Sequence, residues 1–183
     1  TPISQPAPKE SIPVTSIILP DANDGAATVL QYLFDLIYHY DFLADRLSAT
    51  EYQKWMPDLP IARAINFIMR FHEQGEWQEG VNQIADSAFM NDPAVGQSVV
   101  SSSVTFLDPQ NQTNDDEKST AILKLHDSLD GTLIRLQAAH IDREILELNK
   151  KIGTTDIPDD EKLQLASRKI SLQRQRQSLR EKF

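Results

Sequence analysis

Near the end of the chain, Ile134, Ala138, Ile141, Ile145, Leu148 and Ile152 recur at alternating steps of four and three. That spacing keeps an apolar seam on one side of a helix in a heptad repeat, and such a seam is stable only against a second helix. The segment Gly153-Thr154-Thr155-Asp156-Ile157-Pro158 then breaks the pattern, and Leu165, Leu172 and Leu179 resume it at steps of seven. A short breaker between two matched seams predicts an antiparallel helical hairpin. Two helices bury little apolar surface by themselves, so the hairpin is expected to meet another surface.

The second helix of this hairpin is apolar on two sides. At about 100° per residue, Leu165, Leu172, Leu179 and Phe183 fall together, while Leu163, Ala166 and Ile170 fall nearly opposite. The first set closes the hairpin. The second set lacks a partner within it and has two readings. It packs at the edge against the turn and Ile157, or it is an exposed docking strip rimmed by Arg168, Lys169, Arg174 and Arg176. Those cations by themselves also fit a solvated helix face. On the docking reading the partner-binding residues are Leu163, Ala166, Arg168, Ile170 and Arg174.

Upstream, an arm with little periodicity precedes a body whose periodicity is mainly helical. Residues 1–20 hold Pro2, Pro6, Pro8, Pro13 and Pro20, half of the chain's ten prolines, and read as an extended arm over 1–23. Within it, Ser16-Ile17-Ile18-Leu19 is short enough only to dock on the body. A helix begins near Asp24, with Leu30, Leu33, Phe34 and Ile37 on one face. Tyr40-Asp41-Phe42-Leu43 opens a second, short helix toward Leu47. Ser48 and Glu51 have the spacing of a capping box for a third. Pro60 opens a stronger helix with Ile61, Ile65, Ile68 and Met69 as its stripe and Gly75 as its stop. Val81, Ile84, Ala85 and Phe89 predict a helix after Gly80, and another follows Pro93 through Val95, Val99 and Val100 toward Phe106; Val99-Val100 and Val104 also fit a strand, but no partner strand is evident, so helix is preferred.

Residues 107–117 form a polar loop whose Asp115, Asp116 and Glu117 suit the positive end of the next helix. That helix is expected to run from about Asp116 to Ile152, with Gly131 as a point of weakness or a break. Its apolar face changes along its length. Ile122, Leu125, Leu129, Leu133 and Leu136 form one stripe, and the seam from Ile134 to Ile152 forms another about a third of a turn away. One rod thus serves two cores. The expected architecture is all-α: a helical bundle over 24–135, joined by the long helix to a terminal hairpin over 136–183.

Charge separates the same two parts. Residues 1–140 hold 8 basic and 19 acidic residues, a balance of −11, whereas 141–183 hold 10 basic and 8 acidic, a balance of +2. A net charge of −9 argues against strong nucleic-acid binding, which needs clustered Lys and Arg. With no cysteine the chain has neither disulfides nor thiolate metal sites, which fits a reducing compartment. No membrane span or secretory signal is evident, and the first residue, Thr1, suggests a piece of a longer protein or a processed chain.

Catalytic signals are lacking. His39, His72, His126 and His140 have no ligand spacing, and there is no phosphate loop, dinucleotide fingerprint or nucleophile elbow. Trp55 and Trp77 have few basic neighbours, so they read as packing residues rather than a base-stacking platform. No catalytic residue, metal or cofactor is assigned.

Over about residues 25–183 the chain resembles the C-terminal helicase-binding domain of bacterial DnaG-type primases. The resemblance rests on the opening Tyr32-Leu33-Phe34-Asp35-Leu36-Ile37-Tyr38-His39-Tyr40-Asp41-Phe42-Leu43 and on His126-Asp127-Ser128-Leu129. It continues through Arg143-Glu144-Ile145 to Lys150-Lys151, an acidic turn, and Glu161-Lys162-Leu163 through Leu172. It implies a bundle and hairpin whose hairpin binds the N-terminal domain of the replicative DnaB-type helicase, in the bacterial cytoplasm. It also implies that the fragment makes no primers unaided, because the family's zinc-binding and polymerase modules lie elsewhere. Some relatives bind the acidic tail of single-stranded-DNA-binding protein through a basic patch on the bundle, but this acidic body offers no residues to assign to that role. The helicase's own N-terminal oligomerisation domain shares the fold and is the alternative. The Pro-rich arm ahead of the bundle favours the primase reading.

Overall fold

A computed structural model of the chain describes residues 24–100, 109–112, 114–154 and 157–182. The Pro-rich arm, the stretch toward Phe106 and Phe183 lie outside them. Eight α-helices and two short 3-10 turns make up the described residues, with no strand among them. The all-α class and the bundle with a terminal hairpin hold.

α1 (Asp24–His39) is the hub of the bundle, with α4 (Pro60–Glu73), α6 (Pro93–Val100) and α7 (Asp115–Ile152) packed around it. Its expected face is fully buried: Leu30, Leu33, Phe34 and Ile37. Leu36 and Asp35 are buried as well, because a helix enclosed on several sides has no free face. The short helices α2 (Phe42–Ser48) and α3 (Tyr52–Trp55) add Leu43, Leu47 and Tyr52 to the same core. α4 contributes Ile61, Ile65, Ile68 and Met69, and α7 contributes Leu125, Leu129, Leu133 and Leu136.

The stop at Gly75 has a clear backbone cause. Glu76 N–H donates to the Phe71 carbonyl and Gly75 N–H to that of His72, each at 2.9 Å. This double closure requires a left-handed residue, and Gly75 has φ +77°. α5 (Trp77–Ala85) then lies back along α4. It begins before Gly80, not after it, and carries that glycine in its interior. A Cβ there would stand 2.7 Å from the Phe71 Cβ, so close helix approach requires Gly80. Phe89 belongs instead to a separate 3-10 turn, Ala88–Asn91, capped by Ser87 Oγ accepting from Phe89 N–H at 3.2 Å.

The Ser48–Glu51 capping box does not form. Ser48 is the last residue of α2, and its hydroxyl donates back to the Ala44 and Asp45 carbonyls at 3.0 Å. Glu51 precedes α3 without a side-chain cap. Serine's preference for nearby backbone acceptors served the end of one helix rather than the start of another. Within the 107–117 loop, Pro109–Asn111 forms a 3-10 turn, and Asn114 Oδ1 caps α7 by accepting from Glu117 N–H at 2.7 Å.

α7 runs 38 residues without a break at Gly131. Past the bundle, it pairs with α8 (Asp159–Arg180). The hairpin core is Ala138, Ile141 and Leu148 from α7 with Leu172 and Leu179 from α8, flanked by Ile134, Ile145 and Leu165. This is the seam read from the heptads. Ile152 lies at its turn end, half-buried.

Two tryptophans tie the layers together at helix C-termini, where carbonyls lack helical donors. Trp77 Nε1–H donates to the Ile37 carbonyl in the last turn of α1 at 3.1 Å. The Trp55 carbonyl, at the end of α3, accepts from the Arg143 guanidinium at 2.6 Å. Arg143 is part-buried, and burial lowers its pKa from the ordinary arginine value. Body contact on α7 therefore continues beyond the 135/136 boundary, on the side of the helix away from the seam.

Candidate docking site on the helical hairpin

The site is built by α8. Its start is charged for its place, with Asp159, Asp160 and Glu161 in the first turn, and its end carries Arg180. Between them, Leu172 and Leu179 are the only buried residues of this helix. Everything else it carries is available for the flanks or for solvent.

The seven-residue step of Leu165, Leu172 and Leu179 leaves Leu163 and Ile170 on the outside. They are 73% and 50% exposed, too open for the edge-packed reading in which the turn and Ile157 would cover them. Ala166, between them in sequence but nearer the seam on the projection, is partly buried. The strip thus stands outward on α8, opposite its seam.

The structure does not bring all the expected cations to this strip. Arg168 reaches across the hairpin to Glu144 at 3.0 Å, and Arg176 holds both carboxylate oxygens of Asp142 at 3.0 and 3.1 Å. Asp142 and Glu144 lie on opposite sides of the α7 seam, so each ion pair closes one flank of the hairpin. The pairs set the antiparallel register as well. Both are solvent-exposed and contribute at most about 1 kcal/mol each. Arg174, by contrast, lies on the outer face and has no ion pair among the described residues, as do Lys169 and Arg180. Lys169 is partly buried, whereas Arg174 and Arg180 are exposed.

His140 sits beside this region, with Nε2 3.9 Å from Glu144. Burial lowers its pKa, Glu144 acts the other way, and Arg143 adds to the lowering. The remaining histidines have local roles. His72 Nε2 lies 2.9 Å from an Asp45 oxygen, and the His126 ring meets Phe42 edge-on with centroids 5.5 Å apart. Among the described residues no three His, Asp or Glu side chains are grouped to hold a metal ion. No described helix is long and apolar enough to cross a membrane.

No protein-family model, curated protein or solved structure matches this chain. The site therefore rests on its geometry. Sequence reading did not single out one exposed leucine of the hairpin. Leu146 on α7 is 40% exposed and falls in neither apolar stripe. The available signal was a leucine one turn past Asp142, off both stripes of its helix.

Proposed function

We propose that this chain is the helicase-binding domain of a bacterial DnaG-type primase, a non-catalytic module that docks the enzyme on the N-terminal domain of the DnaB-type replicative helicase. The observation that carries the reading is the two-sided apolarity of α8: Leu172 and Leu179 close the hairpin while Leu163 and Ile170 face outward. A helix that spends large apolar side chains on solvent is shaped for a partner. The division of charge supports it, since an acidic body ends in a near-neutral hairpin with free cations. On this reading primer synthesis belongs to other modules, and the protein works in the bacterial cytoplasm.

The test is binding of the full chain to the purified N-terminal domain of the cognate helicase, with circular dichroism as folding control. Ile170→Asp is expected to cost on the order of 1–3 kcal/mol in binding while the helices persist. No binding by the unaltered chain overturns the helicase reading. Binding that Ile170→Asp leaves intact overturns the choice of face. A closed ring formed by the chain alone in sedimentation favours the oligomerisation domain of a helicase.

A further inference from the structure

α8 carries two heptad seams, and the hairpin uses one of them. Leu165, Leu172 and Leu179 meet α7. On the opposite side Asp160, Leu163, Ser167, Ile170, Arg174 and Gln177 recur at steps of three and four, and all six are exposed. This outer seam is also clear of the body, which reaches α7 on the side away from the inner seam. Such a repeat is suited to a second helix laid along it.

The order of residues along the outer seam is acidic, apolar, small, apolar, cationic. Asp160 and Arg174 both stand without an ion pair among the described residues. They are fourteen positions apart, about 21 Å along the helix, so they cannot reach each other within one copy. A second α8 laid antiparallel, with the two-fold axis at Ser167, removes that obstacle. Asp160 of each copy then meets Arg174 of the other, and Leu163 of each lies beside Ile170 of the other. The small side chain of Ser167 at the axis lets the two backbones approach. A parallel pairing would set Asp160 against Asp160 and Arg174 against Arg174. It would also bring the acidic parts of both copies, each with a balance of −11 over residues 1–140, to the same end. Charge therefore selects the antiparallel direction.

We infer that the outer seam of α8 takes a second copy of this chain, forming an antiparallel two-fold dimer centred on Ser167. Two apolar side chains from each copy make a small interface, below the roughly 1,000 Å² of a stable one, so the dimer is transient, with a dissociation constant on the order of 0.1 mM. The pairing covers Leu163 and Ile170, so a copy seated there excludes any other occupant of the strip. The inference needs only the two seams of α8, not the identity of another partner.

The experiment is sedimentation equilibrium of the full chain alone up to about 1 mM, with circular dichroism as folding control. A monomer–dimer equilibrium is expected, and Ile170→Asp is expected to weaken it about tenfold or more. Asp160→Arg and Arg174→Asp are each expected to weaken it several-fold at low salt, whereas the double variant Asp160→Arg/Arg174→Asp recovers it by re-forming the pairs with signs exchanged. Because the chain has no cysteine, Ser167→Cys supplies a single thiol at the axis. Its oxidation is expected to give a covalent dimer, while exposed Ser178→Cys, some 33 Å from its counterpart in this arrangement, does not. A chain that stays monomeric at the highest concentration overturns the inference. So does association into a closed ring, or a dimer that Ile170→Asp leaves intact. A double charge variant as weak as the single ones, or cross-linking through Ser178→Cys as fast as through Ser167→Cys, overturns the antiparallel register. These measurements use the chain alone, so their failure leaves the helicase reading standing. Failure of the chain to bind the helicase domain, with the dimer intact, removes only that reading.

Discussion

The body and the hairpin use the same long helix under opposite physical conditions. In the body, 22 buried residues from seven helices and Tyr40 of the α1–α2 link form one cluster among the described residues, so the α7 stripe meets apolar neighbours from several directions. In the hairpin, the buried core among the described residues is five residues from two helices, and α8 buries only Leu172 and Leu179. Body stability is thus spread over many contacts, whereas the hairpin depends on a single seam two ion pairs wide. The difference teaches why the molecule presents its apolar surplus where it does. A partner that covers α8 adds apolar burial to the part of the chain with least of its own, which favours an ordered hairpin in the complex.

The sharpest way to separate the two regions is to damage each core in turn. Phe34→Ala, at a fully buried site in the hub helix, is expected to destabilise the fold by about 3–5 kcal/mol and to lower the denaturant midpoint for the whole body. Leu172→Asp puts a charge in the narrow seam. It is expected to cost about 3 kcal/mol locally and to release α8 while the body keeps its transition. Hydrogen exchange reads the contrast directly: α8 amides should lose protection while those of α1 and α4 retain it. Loss of protection in both would mean that body and hairpin fold as one unit.

The junction gives a smaller effect. Arg143→Met keeps an apolar stem but leaves the Trp55 carbonyl without its donor, and is expected to cost about 1–2 kcal/mol. The loss should appear as faster exchange in α3 and the middle of α7, not in α1. Smallest is Gly131→Ala. A Cβ there meets nothing within 4 Å, so the substitution is expected to stabilise the unbroken α7 by up to about 1 kcal/mol. A drop in melting temperature would show that the glycine serves bending between the two regions rather than merely being tolerated.

Much of the fold is periodic information, and periodic information is local. The seam from Ile134 to Leu148 and its counterpart at Leu165, Leu172 and Leu179 are legible because a helix repeats its faces at a set angle. For the same reason the change of face along α7 locates two cores, and the Pro60 and Gly75 signals bound α4 to the residue. Periodicity placed Leu163 and Ile170 off the seam but left open whether the turn covers them, and the structure leaves both exposed.

What tertiary structure alone decided depends on distances between residues far apart in sequence. Ser48 reads by pattern as the cap of the helix that follows it, yet its hydroxyl donates back to the Ala44 and Asp45 carbonyls of α2. Gly80 reads as a helix boundary until Phe71 is seen to occupy the space a Cβ would need, which makes it the condition for α4 and α5 to touch. Arg168 and Arg176 read as a rim for the outer strip, yet their long stems reach back to Glu144 and Asp142 across the hairpin. The exposure of Leu146 was silent in the sequence for a similar reason, since a residue outside every stripe has no periodic signature. Periodicity determines which face of a helix is apolar; the packing of other helices determines which of those faces stays uncovered and which charges remain to surround it.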